Sequence, residues 1–152
     1  MNERDTVSCL NKLIETSRDG EHGFRTGAEH LHRQDIKELF LRRAEECRQA
    51  VAELQNLVVS HGGTAEDSGS ASGKLHRGWV AVKAKLTGDP DTAILEETER
   101  GEDVALERYR DALDESLPVD VRTTVERQYE GVKRNHLQVR TLRDQLRSTA
   151  HR

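Results

Sequence analysis

Residues 7–31 read VSCLNKLIETSRDGEHGFRTGAEHL, and the apolar positions in this stretch decide the fold class. Val7, Leu10, Ile14, Phe24, Ala28 and Leu31 recur in alternating steps of three and four, the spacing that lines one face of an α-helix. Two places in the stripe are polar: Ser17 and Glu21 stand where hydrophobic residues are expected. Asp5 is the expected N-cap. The stretch therefore predicts a long amphipathic helix with a carboxylate on its inward face.

Outward from this helix the same period returns three times. Asp35 with Glu38 three residues on is an acidic variant of the capping box, and it opens a second helix. That helix carries Ile36, Phe40, Cys47, Val51 (or Ala50), Leu54 and Val58 and closes at Gly62-Gly63. His30 to Gln34 is a short hairpin turn, so helices one and two are expected antiparallel. Asp89 and Pro90 begin a third helix, with Leu95, Ala105, Tyr109 and Ala112 in register and Thr98 and Glu102 in the gaps. Leu117-Pro118 breaks the chain. The fourth helix carries Val121, Val125, Val132, Val139, Leu142 and Leu146, interrupted by Gln128 and by Asn135 or His136.

The connection in the middle is long, from about residue 62 to about residue 90. Thr64 to Gly73 is small and polar, and Lys74 to Leu86 reads as a short amphipathic helix with Leu75, Trp79, Val82 and Leu86 on one side. Such a connection can return along the bundle, so that helices two and three lie parallel, as in ferritin-like folds. An excursion that ends where it began is the alternative. The expectation is a single all-α domain over residues 1–152, with flexible ends at about 1–5 and 148–152. It is a ferritin-like four-helix bundle with one long crossover connection carrying a short extra helix.

Charge and composition exclude some function classes. Lys and Arg total 24 against 28 Asp and Glu, a net charge of −4, which argues against a basic nucleic-acid surface. The arginines of helix four are interleaved with acids and read as a solvated face. No run of 18 apolar residues offers a membrane span, and MNERDTVSCL lacks the apolar core of a secretion signal. Cys9 and Cys47 are too few for a disulfide framework, so a cytoplasmic location is expected.

Helices one and three look like copies. Aligning Gly20-Glu21 with Gly101-Glu102 sets Ile14 on Leu95, Ser17 on Thr98, Phe24 on Ala105 and Ala28 on Tyr109. A carboxylate in a bundle core must be paired, protonated or bound to metal. Folding helix one back through its turn sets Glu21 level with Glu46. The same operation at Leu117 sets Glu102 level with about residue 132, one turn from Gln128 and one from His136. The candidate site is therefore Glu21, Glu46, Glu102 and His136, with Gln128, Arg43, Ser17 and Thr98 around it. Such an oxygen-rich set with an imidazole suits iron or a similar metal. The paired Glu-x-x-His of di-iron bundles is missing: Gln49 follows Glu46 at that spacing, Lys133 follows Glu130, and Glu29 to His32 falls in the hairpin turn. A metal-free layer, in which Arg43 neutralises Glu21 or Glu46 and His136 bonds Glu102, is the competing reading.

Leu13-Ile14-Glu15, Gly20 to Arg25, Glu66 to Ser70, Leu75 to Trp79, Glu99 to Asp103 and Asn135-His136 together resemble a bacterial ferritin-like four-helix-bundle family of unknown function. The resemblance runs from about Val7 to Leu146. It implies a ferritin-like bundle with a crossover helix and a loose link to stress proteins. Ferritin and rubrerythrin relatives bind di-iron, but their paired ligands do not map onto this chain. Three classes of function follow. The first is a stress-related module that binds iron or a similar metal weakly or not at all, and the second is a non-catalytic scaffold acting through itself or a protein partner. The third is a complete di-iron oxidase or peroxidase. A homo-oligomer, with a dimer favoured, is expected from Leu41, Leu57, Val59 and Leu106, which one stripe per helix does not use. His22, His30 and His32 read as a solvated helix end, Cys47 as a small buried hydrophobe, and Trp79 as the anchor of the crossover helix.

Overall fold

Each apolar stripe needs a partner, and in the computed structural model of this chain, which describes residues 1–66 and 90–150, the four stripes cover one another. The elements are α1 (Glu3–His30), α2 (Gln34–Ser60), α3 (Pro90–Leu113) and α4 (Val119–Ala150), with no strand among the described residues. None of these helices is long and apolar enough to cross a membrane. The short helix expected around Leu75, Trp79, Val82 and Leu86, and the expected cap Asp89, lie outside the described residues.

The helix ends differ from expectation in instructive ways. Asn2, not Asp5, caps α1: its side chain accepts a hydrogen bond from the Asp5 N–H at 2.8 Å. Asp5 sits in the first turn, where a carboxylate suits the positive end of the helix. The start of α2 has no side-chain cap from Arg33, and Asp35 instead accepts from the Arg33 guanidinium. A residue distant in sequence holds the turn. Asp91 of α3, buried, accepts from the His32 N–H at 2.7 Å and the Arg33 N–H at 3.0 Å. At the other end of α2, Gly62 takes φ +81°, and Gly62 and Gly63 donate to the carbonyls of Val59 and Val58. That Schellman turn requires the left-handed conformation glycine adopts freely.

Two apolar clusters fill the bundle. At one end Leu10, Leu13 and Ile14 meet Val51, Leu54, Val58, Val121 and Val125. At the other Phe24, Ala28, Ile36, Phe40, Ile94, Leu95 and Val139 pack together, with Phe24 edge-on to Phe40 at 5.2 Å. Gly27 allows the close approach there, since a Cβ on it would lie 2.8 Å from Phe40 Cε2 and 3.2 Å from Ile94 Cγ2. Between the clusters lie the buried polar residues Ser17, Glu21, Arg43, Glu102, Gln128 and Asn135.

Contacts between helices fix their directions. Ser17 of α1 meets Tyr109 of α3, while Asp91 of α3 meets the end of α1, so these two helices are antiparallel. Arg43 and His61 of α2 bond Gln138 and Asp120 of α4, so these two are antiparallel as well. α1 and α2 form an antiparallel hairpin. It follows that α2 and α3 run in the same direction. The α1–α2 pair packs most closely and the α2–α4 pair most sparsely.

Candidate functional site

Glu21 and Glu102 both lie in the buried layer, as the internal repeat predicts, but their surroundings are opposite. Helical spacing places Arg18 one turn before Glu21 and Arg25 one turn after it. Arg18 Nη1 donates to Glu21 Oε1 at 2.8 Å, and Arg25 Nη2 donates to Oε2 at 3.0 Å. Burial alone pushes the Glu21 carboxyl up, but these hydrogen bonds and the two positive charges outweigh it and hold the group below its ordinary value. Glu21 is a paired carboxylate. Glu102 has no such partners on α3. Burial raises it to about 8 despite the opposing charge of Arg43, and Asp103 adds to the rise. Its Oε1 is buried and has no hydrogen-bond partner. At neutral pH Glu102 is a buried carboxylic acid.

The other expected members of the layer are placed differently. Glu46 lies at the rim with its side chain 55% exposed, where Arg43 Nη1 donates to it at 2.6 Å. Arg43, one turn earlier, takes the inward position on α2 and reaches across to Gln138 Oε1 at 2.8 Å. The expected pairing of Arg43 with Glu46 is found; Glu46 as a core carboxylate is not. His136 also sits at the rim, its Nε2 2.7 Å from Asp103 Oδ1, while Asn135 occupies the seam. The helical period of α4 puts Asn135 on the inward stripe with Gln128 and Val139 and leaves His136 beside it. The Arg122 guanidinium donates to the carbonyls of Leu113 and Glu115, which sets Arg122, rather than the start of α4, level with the end of α3. With Tyr109 bonded to Gln128 and Asp103 to His136, Glu102 is level with about residues 135–137. Thr98 is half-buried between two buried acids, Glu97, paired with Arg100, and Glu99, paired with Arg143. His22 and His32 are exposed, in line with a solvated helix end.

Ser17 and Gln128 belong to a network that the sequence reading did not assemble. Tyr109, fully covered, donates to Gln128 Oε1 at 2.8 Å and lies 3.3 Å from Ser17 Oγ. Gln128 Nε2 in turn donates to the Ala50 carbonyl and to Glu53 Oε1, each at 3.3 Å, and Glu53 is paired with Arg127. Burial raises the Tyr109 phenol, although the Ser17 hydrogen bond pulls it down. An amide oxygen is no base, so this chain of hydrogen bonds fixes the phenol without drawing off its proton. The signal available in sequence was Ser17, Tyr109 and Gln128 as polar atoms on three inward stripes. Cys47, beside Gly20, is partly rather than fully buried, and desolvation first, then the charges of Glu102, Glu46 and Glu21, push its thiol up to about 12, which makes it a poor nucleophile.

This donor set does not fit a di-iron centre. Arginines occupy both oxygens of Glu21, Glu46 points to the rim, and His136 is bonded to Asp103. No group of three or more His, Cys, Asp or Glu side chains among the described residues converges as metal ligands. A groove of about 530 Å³ runs between the start of α1 and the end of α3, lined by Asp5, Cys9, Lys12, Arg108, Asp111 and Glu115. Its charges are mixed in sign.

Among the described residues, fold and site thus define an all-α protein of four helices whose central carboxylates are handled by arginine and by protonation. Residues 5–115 match the family described as Domain of unknown function (DUF2383), and the chain belongs to that family. The match spans α1 to α3 and ends before α4. No curated protein matches the chain.

Proposed function

We propose that this chain is a ferritin-like bundle that serves as a stress-related, non-catalytic helical module, acting through self-association or a protein partner. One observation carries the reading: both oxygens of Glu21 are held by Arg18 and Arg25, where a metal-binding bundle needs free carboxylate. The ferritin-like arrangement is supported by the common direction of α2 and α3, which needs a connection as long as the bundle. Self-association is supported by exposed Leu41, Val59 and Leu137, whereas Leu57 and Leu106 are partly covered. One observation favours weak metal binding instead, namely the unpartnered Oε1 of Glu102.

The test is a melt of the untagged chain with and without ferrous iron under argon, alongside light scattering. The expected result is an unchanged melting temperature and a mass above that of one chain. A resident metal at 100 times its Kd would add about 2.7 kcal/mol, roughly 5–10 °C for a domain of this size. A rise of that order, lost in Glu102→Gln, would establish metal binding and overturn the proposal. A monomer at all concentrations would remove self-association and leave a protein partner.

A further inference from the structure

His61 closes α2 at the end of the molecule where α1 and α4 begin. Its Nδ1 lies 3.0 and 3.2 Å from the two carboxylate oxygens of Glu3, in the first turn of α1. Its Nε2 lies 3.0 Å from Oδ2 of Asp120, in the first turn of α4. An ionised carboxylate only accepts hydrogen bonds. Both contacts are therefore hydrogen bonds only when both ring nitrogens carry protons. A neutral ring has a single N–H, and its bare nitrogen then faces a carboxylate lone pair. Among the described residues, Glu3 from α1 and Asp120 from α4 are the charged groups that face the ring, and both are negative. The ring is 13% exposed, while the Glu3 and Asp120 side chains are 66% and 55% exposed, so the contacts are open to solvent and exchange protons with it.

We propose that His61 is a pH-operated latch: protonated, it ties the first turns of α1 and α4 to the end of α2, and neutral, it lets one of them go. The latch closes the α2–α4 pair, which packs most sparsely of the touching pairs, just outside the apolar cluster that holds Val58 and Val121. The hydrogen bonds from Glu3 and Asp120 raise the His61 pKa above 6.5 against the opposing effect of burial, and the ring in turn lowers Asp120. For a base whose folded pKa is raised, the stabilisation is whole below 6.5 and is lost as pH rises through the folded value. The latch is thus shut in mildly acidic solution and opens towards alkaline pH.

The experiment is a histidine NMR titration of the full chain, with amide exchange of the first two turns of α4 at pH 6 and pH 8. Protection factors corrected for intrinsic exchange are compared for wild type, His61→Gln and Asp120→Asn. Wild type should lose roughly three- to tenfold protection there between the two pH values, relative to the middle of α1. His61→Gln should show low protection at both. Asp120→Asn should lower the His61 midpoint, which provides the test if His61→Gln does not fold. A His61 midpoint at or below 6.5, an unchanged midpoint in Asp120→Asn, or the same protection loss in His61→Gln would each overturn the latch.

Discussion

Replacing Glu102 with Gln and Glu21 with Gln should move stability in opposite directions at neutral pH, although the two residues are equivalent in the internal repeat. Glu102 stays protonated in the folded chain up to about 8, whereas the unfolded chain ionises it near 4.5. Folded protein therefore binds the extra proton between those values, and stability falls as pH rises through that window. At about 1.4 kcal/mol per pH unit the loss has a ceiling of roughly 5 kcal/mol by pH 8, and about 3 kcal/mol by pH 7. Water entry and relaxation reduce these figures. Glu102→Gln has no proton to release, but it must bury an amide NH2 in place of the acid, at a cost of about 1–2 kcal/mol. The variant should be slightly less stable than wild type at pH 4.5 and clearly more stable at pH 8. Glu21 carries the reverse signature. Its carboxyl is held below 4.5 by Arg18 and Arg25, so its contribution is present above that value and is lost as pH falls. Glu21→Gln should cost about 1 kcal/mol at pH 7, and that cost should shrink as pH falls below 4.5. Urea unfolding of the three proteins from pH 3 to pH 8.5 reads both trends as differences from wild type, in which the other titrating groups cancel. A constant gap between wild type and Glu102→Gln across pH 4.5–8 would refute the buried-acid assignment.

Three further outcomes are expected from the packing. Gly27→Ala should destabilise the chain by about 1–3 kcal/mol, read as a lower urea midpoint at unchanged slope, because its Cβ would press into the Phe40 ring. Asp91→Ala should cost about 1–3 kcal/mol, since the His32 and Arg33 N–H groups lose their acceptor. Amide exchange at the α1–α2 turn should speed up in that variant, and unchanged exchange there would count against the tie. Native Cys47, partly buried, should react with a thiol-reactive dye at pH 8 much more slowly than in the unfolded chain. Rapid labelling without unfolding would contradict the burial that raises its pKa to about 12.

What the chain carries in its own order is local. The stripes from Leu10 to Leu31 and from Ile36 to Val58 specify helices because a period near 3.6 gathers apolar side chains on one face, and these residues are buried as that period requires. The same periodicity places Arg18 and Arg25 on the face of Glu21, so that pairing could be read from spacing alone. Glu21 and Glu102 were legible as inward carboxylates, and Ser17 and Gln128 as inward polar groups. The fate of Glu102 was not, because it depends on which residues of α2 and α4 arrive opposite it. The inward stripe of α4 brings Asn135 into the seam, and Asp103 of α3 takes His136 at the rim. Arg43 taking the inward place on α2 leaves Glu46 at the rim. Asp91 and His61 act on partners some sixty residues away in sequence, across ends that no local pattern brings together. Periodicity determines which face of a helix turns inward. The level at which two faces meet is set by contacts at distant helix ends, and only the folded bundle brings those ends together.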